Sequence, residues 1–229
     1  KHSDEAREEL LGNIDNFIGS MAHHMSNMLT PSLQVAMNEL SNHDHSRFLT
    51  RTNHMVGRVE HLGPEAANEY VNKAVMREAV VMQMTWVGAP TIYYGDEAGV
   101  CGFTDPDNRR TYPWGKEDQE MLDFHKRMIC IHKAYPILAK GSLEFLWNDH
   151  QGLSYGRFSD SEQIIVILNN QDQERDIRVT AWKTGVSRKE ATAFQRLMLS
   201  SGEGYTEMPE EYIADAGILQ VKMPAYGAM

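Results

Sequence analysis

Apolar residues recur at three- and four-residue steps over the first segment of the chain. Leu10, Leu11, Ile14, Phe17, Ile18 and Met21 share one face, which predicts an amphipathic helix from Ser3 to about Met28. Ser3 is placed to cap it, Asp4 and Glu5 sit where the helix dipole favours negative charge, and Thr30-Pro31 ends it. The run Val35 to Ser41, bounded by Pro31 and by the polar Asn42-His43-Asp44, has the length of a strand. A second helix fits Pro64 to about Val87, with Ala67, Tyr70, Val71 and Ala74 on one face. From Ala79 that helix is apolar nearly all round, which places its end inside the fold. Gly88-Ala89-Pro90 stops it, and Thr91-Ile92-Tyr93-Tyr94 reads as a short strand. A loop rich in Gly, Asp, Pro and Asn runs from Gly99 to about Trp114. The third helix, Glu117 to Tyr135, carries Met121, Leu122, His125, Met128, Ile129, His132 and Tyr135 on one face.

The first 135 or so residues thus alternate helix, strand, helix, strand, helix, the pattern of parallel strands covered by helices. Two strands do not make a stable parallel sheet by themselves, so this region is expected to be a piece of something larger. After Gly141 the pattern changes. Strand-like runs at Ser142 to Trp147, Leu153 to Phe158, Ile164 to Asn169, Asp176 to Thr180, Phe194 to Leu199 and Ile218 to Met223 are separated by turn-rich pieces. They read as an all-β sandwich or open barrel. The expected architecture is α/β then all-β, divided near Lys140 into 1–140 and 141–229.

Composition narrows the classes. With 41% hydrophobic and 24% charged residues, the 229-residue chain can build a core and is not disordered as a whole. A formal charge of -10 argues against nucleic acid or an anionic membrane as the main partner. No stretch approaches the ~20 apolar residues of a membrane span. Cys101 and Cys130 are the only cysteines, which excludes a disulfide framework and suits a reduced, cytoplasmic setting. The first residue is Lys1, with no signal-like segment behind it, and the chain is expected to lack its beginning.

Three loops hold candidate chemistry. Asn42-His43-Asp44, with Arg47 three residues on, follows a predicted parallel strand, where binding groups of such folds collect. A carboxylate, an imidazole and a guanidinium together suit a polyhydroxylated ligand and steady positive charge developing on it. The plainer reading is a turn whose Asn42 and Asp44 satisfy backbone groups. Gly95-Asp96-Glu97 stands at the corresponding end of the next strand, and its carboxylates either cap a helix, ligate a cation or belong to a solvated turn. In Asp105-Pro106-Asp107-Asn108-Arg109-Arg110 the proline stiffens the loop, while Asp105 and Arg109 offer an acceptor and a forked donor to hydroxyls. Trp114 is an aromatic ring able to stack on a sugar face. The alternative is an Asx-turn loop closed by an internal ion pair. His23-His24 and His43-x-His45 lack the Cys or carboxylates that complete a metal set, and His125 and His132 read as packed core histidines. The many methionines read as core filler.

These three stations, in this order and ahead of a β-rich tail, resemble the α-amylase family of glycoside hydrolases. The likeness is to its neopullulanase, cyclomaltodextrinase and maltogenic amylase branch. Leu40-Ser41-Asn42-His43-Asp44-His45-Ser46-Arg47-Phe48 resembles the family's fourth conserved region, at the end of the seventh strand of a (β/α)8 barrel. Gly88-Ala89-Pro90-Thr91-Ile92-Tyr93-Tyr94-Gly95-Asp96-Glu97 resembles its eighth strand and following loop. Asp105 to Arg110 resembles a loop of the neopullulanase-like branch, and the last strands, ending in Met223-Pro224-Ala225-Tyr226, look like its C-terminal β domain. The resemblance implies the last two strands and three helices of the barrel followed by an antiparallel β-sandwich. It implies that Asp44 stabilises the transition state, that His43 binds sugar hydroxyls at the cleavage site, and that Asp105 and Arg109 hold a glucose unit further along. Arg47 would support the loop.

The departures matter as much. A retaining glycosidase needs two carboxyl groups about 5 to 5.5 Å apart. The family's nucleophilic Asp and acid Glu belong to earlier strands, and no motif here supplies them. The expectation is therefore a part of a retaining hydrolase of α-1,4 bonds in starch, maltooligosaccharides, cyclodextrins or pullulan, inactive alone. Its implied partners are an α-glucan oligosaccharide and the missing N-terminal part of the barrel, with a homodimer of the full enzyme as one further arrangement. No cofactor is implied, and calcium has no ligand set to support it. Two alternatives stand beside it: a non-catalytic sugar-binding or structural remnant of the fold, and an α-1,6-glucosidase or transglycosylase of the same family.

Overall fold

The structure, a computed structural model, describes Glu5 and residues 7–229. The cap expected from Ser3 and the charge of Asp4 lie outside the described residues. The first helix is shorter than its apolar face predicts. After a 3-10 turn at Glu8–Leu10, Gly12 takes a left-handed backbone (φ 65°), and the chain becomes α-helical only at α1 (Ile14–Ser26). Asn13 resets the start by accepting a hydrogen bond from the Asn16 amide. Thr30-Pro31 does not simply terminate structure, because proline suits a first helical turn and opens the short α2 (Thr30–Leu33).

Both predicted parallel strands are reduced to two residues. β1 (Met37–Asn38) pairs in parallel with β2 (Ala89–Pro90), so the ladder lies just before the Thr91 to Tyr94 run and not in it. Val35 and Met37 are 71% and 64% exposed, while Ala36, Asn38 and Leu40 are half-buried and Ser41 is buried, so only one side of the run from Val35 to Ser41 is covered. What holds the pair is Gln83, whose side-chain amide donates to the carbonyls of both Asn38 and Thr91. Two single turns follow β1, α3 (Phe48–Arg51) and α4 (Val59–Leu62). The second long helix, α5 (Lys73–Thr85), begins well after Pro64. Tyr70 takes φ 56° and is 85% exposed, which breaks the expected face, and Asn72 caps the helix by accepting from the amides of Ala74 and Val75. The third, α6 (Gln119–Ala134), matches its predicted span closely, with Asp118 as cap, and the single turn α7 (Ile137–Lys140) completes the helical half.

Ten strands follow where six are predicted. A six-stranded antiparallel sheet has the order β3 (Ser142–Asp149), β4 (Gly152–Phe158), β5 (Gln163–Asn169), β12 (Gly227–Ala228), β8 (Leu199–Ser201), β9 (Gly204–Thr206). A four-stranded one has the order β6 (Arg175–Val179), β11 (Ile218–Met223), β10 (Glu211–Asp215), β7 (Thr192–Gln195). The predicted strand from Phe194 to Leu199 is two strands, β7 and β8, that belong to different sheets. At the crossing the Arg196 amide still donates to the Glu210 carbonyl, and its side chain holds the Met208 carbonyl.

Strand alternation builds two cores. On β5, Val166 and Leu168 pack with Met76, Val80 and Met84 of α5 and Met121, Phe124 and Met128 of α6. Ile167 points the other way and joins Leu146, Ile177, Val179, Leu219, Val221 and Met223 between the two sheets. Because both faces of β5 are covered, its sequence reads as an unbroken apolar run. Arg157, fully buried, ties the helical half to the sheet by donating to the carbonyls of Thr85, Leu138 and Gly141, where helices end. His125 is a core histidine and His132 is half-buried; each bonds a backbone carbonyl through Nδ1, of Met121 at 2.8 Å and of Met84 at 2.7 Å.

Candidate functional site

The three loops singled out in the sequence meet around one buried arginine. Arg47 has no exposed surface; its Nε donates to the Asn108 carbonyl at 2.8 Å, and its Nη1 donates to the Tyr94 carbonyl at 2.6 Å and to Asp96 Oδ1 at 3.0 Å. The rings of Tyr93 and Tyr94 lie 4.1 and 4.8 Å from the guanidinium carbon. One side chain therefore gathers the loop after β1, the loop after β2 and the Asp105 to Arg110 loop. Asp96 is not in a solvated turn. It is 3% exposed, and burial raises its carboxyl pKa, while hydrogen bonds from Ser41 and Arg47 and the charge of Arg47 pull it down.

Around this anchor, main-chain bonds set the outward groups. The Oδ1 of Asn42 accepts from the amides of Asp44 and His45 at 3.0 and 3.1 Å, the Asx turn that such a sequence favours. Asn108, fully buried, donates to the carbonyls of Asn42 and His45 at 3.0 and 2.7 Å. The Asp105 amide reaches the Asp44 carbonyl at 3.5 Å, and Arg109 Nε reaches the His43 carbonyl at 3.2 Å. Asp107 accepts from the Phe103 amide and pairs with Arg110, which locks the far side of the hexapeptide.

All four predicted site residues, His43, Asp44, Asp105 and Arg109, are brought together on one exposed surface. The His43 imidazole lies 3.6 Å from the Asp44 carboxylate, and Asp105 pairs with Arg109 at 2.7 Å, each side chain of that pair 48% exposed. The internal ion pair anticipated as the plain reading is thus made, and both members remain accessible. The surface presents two carboxylates, a forked guanidinium and an imidazole, the mixed donors and acceptors that recognise neighbouring hydroxyls. Trp114 is 81% exposed, its ring 4.5 Å from that of Tyr112. Among the described residues, no group of three or more His, Cys, Asp or Glu is arranged to hold a metal ion, and no helix is long and apolar enough to cross a membrane.

Sequence reasoning missed Asn108 and Asp107 as the supports of this surface. Both stand in the hexapeptide beside the predicted binders, and an amide buried in a charged loop was the available signal.

A parallel strand pair under helices, with polar loops converging beyond the strands and antiparallel sheets behind, is the class of architecture these observations define. The Alpha amylase catalytic-domain family matches residues 7–186, and the chain belongs to that family. An amylopullulanase from Thermoanaerobacter thermohydrosulfuricus is 32% identical over 200 residues, covering 82% of this chain and 13% of that protein. A cyclomaltodextrinase from Thermoanaerobacter pseudethanolicus is 36% identical over 146 residues, 63% of this chain and 22% of the relative. The debranching enzyme of Nostoc punctiforme shares the fold, with a TM-score of 0.66 at 20% identity over 93% of this chain and 39% of that one. The chain thus spans between about an eighth and two fifths of these proteins' lengths.

Proposed function

We propose that this chain supplies the substrate-side half of the active site of a retaining α-glucan hydrolase that cleaves α-1,4 bonds in starch, maltooligosaccharides, cyclodextrins or pullulan. Asp44 stabilises positive charge developing on the sugar ring, His43 binds hydroxyls at the cleavage point, and Asp105 with Arg109 holds a glucose unit further along. The helical half, residues 1–140, provides the last two strands and three helices of a (β/α)8 barrel, and residues 141–229 form the β-sandwich behind it. The observation that carries the reading is the convergence of three loops on buried Arg47, which sets Asp44 and Asp105 beside each other. The nucleophile and the acid belong to the remainder of the barrel. Relatives named amylopullulanase and cyclomaltodextrinase support the substrate class.

The test pairs the chain with a polypeptide carrying the earlier barrel strands and follows hydrolysis of pullulan and cyclodextrin. The pair is expected to be active and the chain alone inactive, and Asp44→Asn should lower kcat by about 100-fold or more, the scale of losing one electrostatic stabiliser of a transition state. Hydrolysis by the isolated chain defeats the proposed division of the site. Sugar binding with no hydrolysis in any pairing makes the chain a non-catalytic binding remnant instead.

A further inference from the structure

A cleft of about 510 Å³ opens between the start of α1, the exposed side of α5 and the turns at one end of the β-sheets. Its size is that of a small-ligand site, and Phe48 is the one residue it shares with the segments that carry Asp44 and Asp105. Phe17, Phe48, Met82 and Leu153 give it apolar walls. Glu78 also lines it, 6% exposed, with its Oε2 buried and unpartnered. A buried carboxyl without a partner is expensive, and a native fold that keeps one has a use for it. Burial raises this carboxyl to a pKa of about 8, so at neutral pH it is an acid that both donates and accepts.

The backbone around the cleft is the second observation. Five non-glycine residues among those described take positive φ, and three of them, His54 (58°), Gln151 (63°) and Tyr226 (47°), line this cleft. They come from three separate segments, and left-handed non-glycine residues collect at ligand sites because each is strained. Arg51 lines the cleft together with Glu78. A cationic ligand is repelled by the Arg51 guanidinium there, whereas a neutral polyhydroxylated ring offers hydroxyls to both side chains and C–H faces to the phenyl rings.

We propose that the cleft beside Glu78 is a second sugar-binding site that takes one or two units of a neutral α-glucan, apart from the Asp44 surface; this rests on the α-glucan reading above. The test titrates maltose into the full chain labelled with ¹³C at its methionine methyls, with Met82 as the reporter on the cleft wall, assigned through Met82→Leu. A saturable shift of the Met82 methyl is expected. Glu78→Leu should weaken it by about tenfold or more, and Glu78→Gln, which keeps a donor and an acceptor, should hold the affinity within about threefold. If Glu78→Leu does not fold, the wild-type response and Glu78→Gln still decide. A silent Met82 beside maltotriose binding that Asp105→Ala abolishes overturns the cleft and leaves the Asp44 reading standing. A shift produced by n-butylammonium and not by maltose also overturns it. Absence of sugar binding anywhere on the chain removes both readings.

Discussion

Arg47 and Glu78 are both ionisable side chains carried into the interior, and the structure treats them in opposite ways. Arg47 is met on most sides: two carbonyls and a carboxylate answer its Nε and Nη1 and two aromatic rings flank it, while its Nη2 has no partner. Glu78 meets desolvation without compensation, and its Oε2 finds no partner. A buried charge paired by a carboxylate and held by carbonyls orders the chain around it, here three loops whose outward faces carry the candidate chemistry. An uncompensated carboxyl lowers stability where it stands and keeps its hydrogen-bonding capacity for something else. The contrast separates a group that builds a site from a group held ready to bind.

The largest expected effect belongs to Glu78 and to pH. Its folded pKa of about 8 stands above the ordinary 4.5, so between those values the native state keeps a proton that the unfolded state has released. Stability is therefore fully present below about pH 4.5 and falls as pH rises towards 8, by about 5 kcal/mol if burial acts alone. Glu78→Gln removes that slope. Denaturation at pH 5 and 8.5 should show the variant much more stable than wild type only at the higher pH. The comparison cancels the contributions of Arg51, His54 and Tyr226, the other titratable side chains along the cleft. Parallel losses in both proteins would show that the carboxyl finds a partner in solution.

Arg47→Ala is the converse experiment. It leaves Asp96 buried without its cation and three loops without their common anchor, a change that costs about 3 to 5 kcal/mol for a buried pair broken on one side. Thermal unfolding of Arg47→Ala checks the size. Arg47→Lys should recover only part of it, because one ammonium cannot reproduce a fork shared between the Asn108 carbonyl, the Tyr94 carbonyl and Asp96. A melt unchanged in either variant would mean that the loops are ordered by their main-chain bonds alone.

How much of this was legible depended on whether a signal was local. The three loops could be read because their chemistry lies in contiguous peptides, and α6 because its apolar face and its cap at Asp118 agree. The first predicted strand is overlong and the second misplaced because strand length there is set by neighbours across a ladder, and each has a single partner and two paired residues. The first two long helices were overextended because a heptad-like face says nothing of the backbone turns at Gly12 and Tyr70. β7 and β8 were fused because their separation comes from sheet assignment, a tertiary fact. Asp96 was read as solvated since its partner, Arg47, is 49 residues away. The Glu78 cleft left no trace in the sequence at all: α5, the start of α1 and the sheet turns become neighbours only in the fold.

Asp105 sharpens the comparison from its small end. Its carboxylate and the Arg109 guanidinium are each about half exposed, and a pair of that kind contributes at most about 1 kcal/mol. The Asp105 amide, which reaches the Asp44 carbonyl, survives truncation of the side chain, and so do the bonds that Asn108 makes to the carbonyls of Asn42 and His45. Asp105→Ala should therefore unfold within about 1 kcal/mol of wild type in urea while losing about tenfold or more in maltotriose affinity at the Asp44 surface. Such a split would place this residue on the binding side of the division that Arg47 and Glu78 define: the anchor is buried and costly to remove, and the contacts it sets out are exposed and cheap. A large loss of stability with unchanged affinity would reverse the assignment and make the Asp105 to Arg109 pair a strut of the loop.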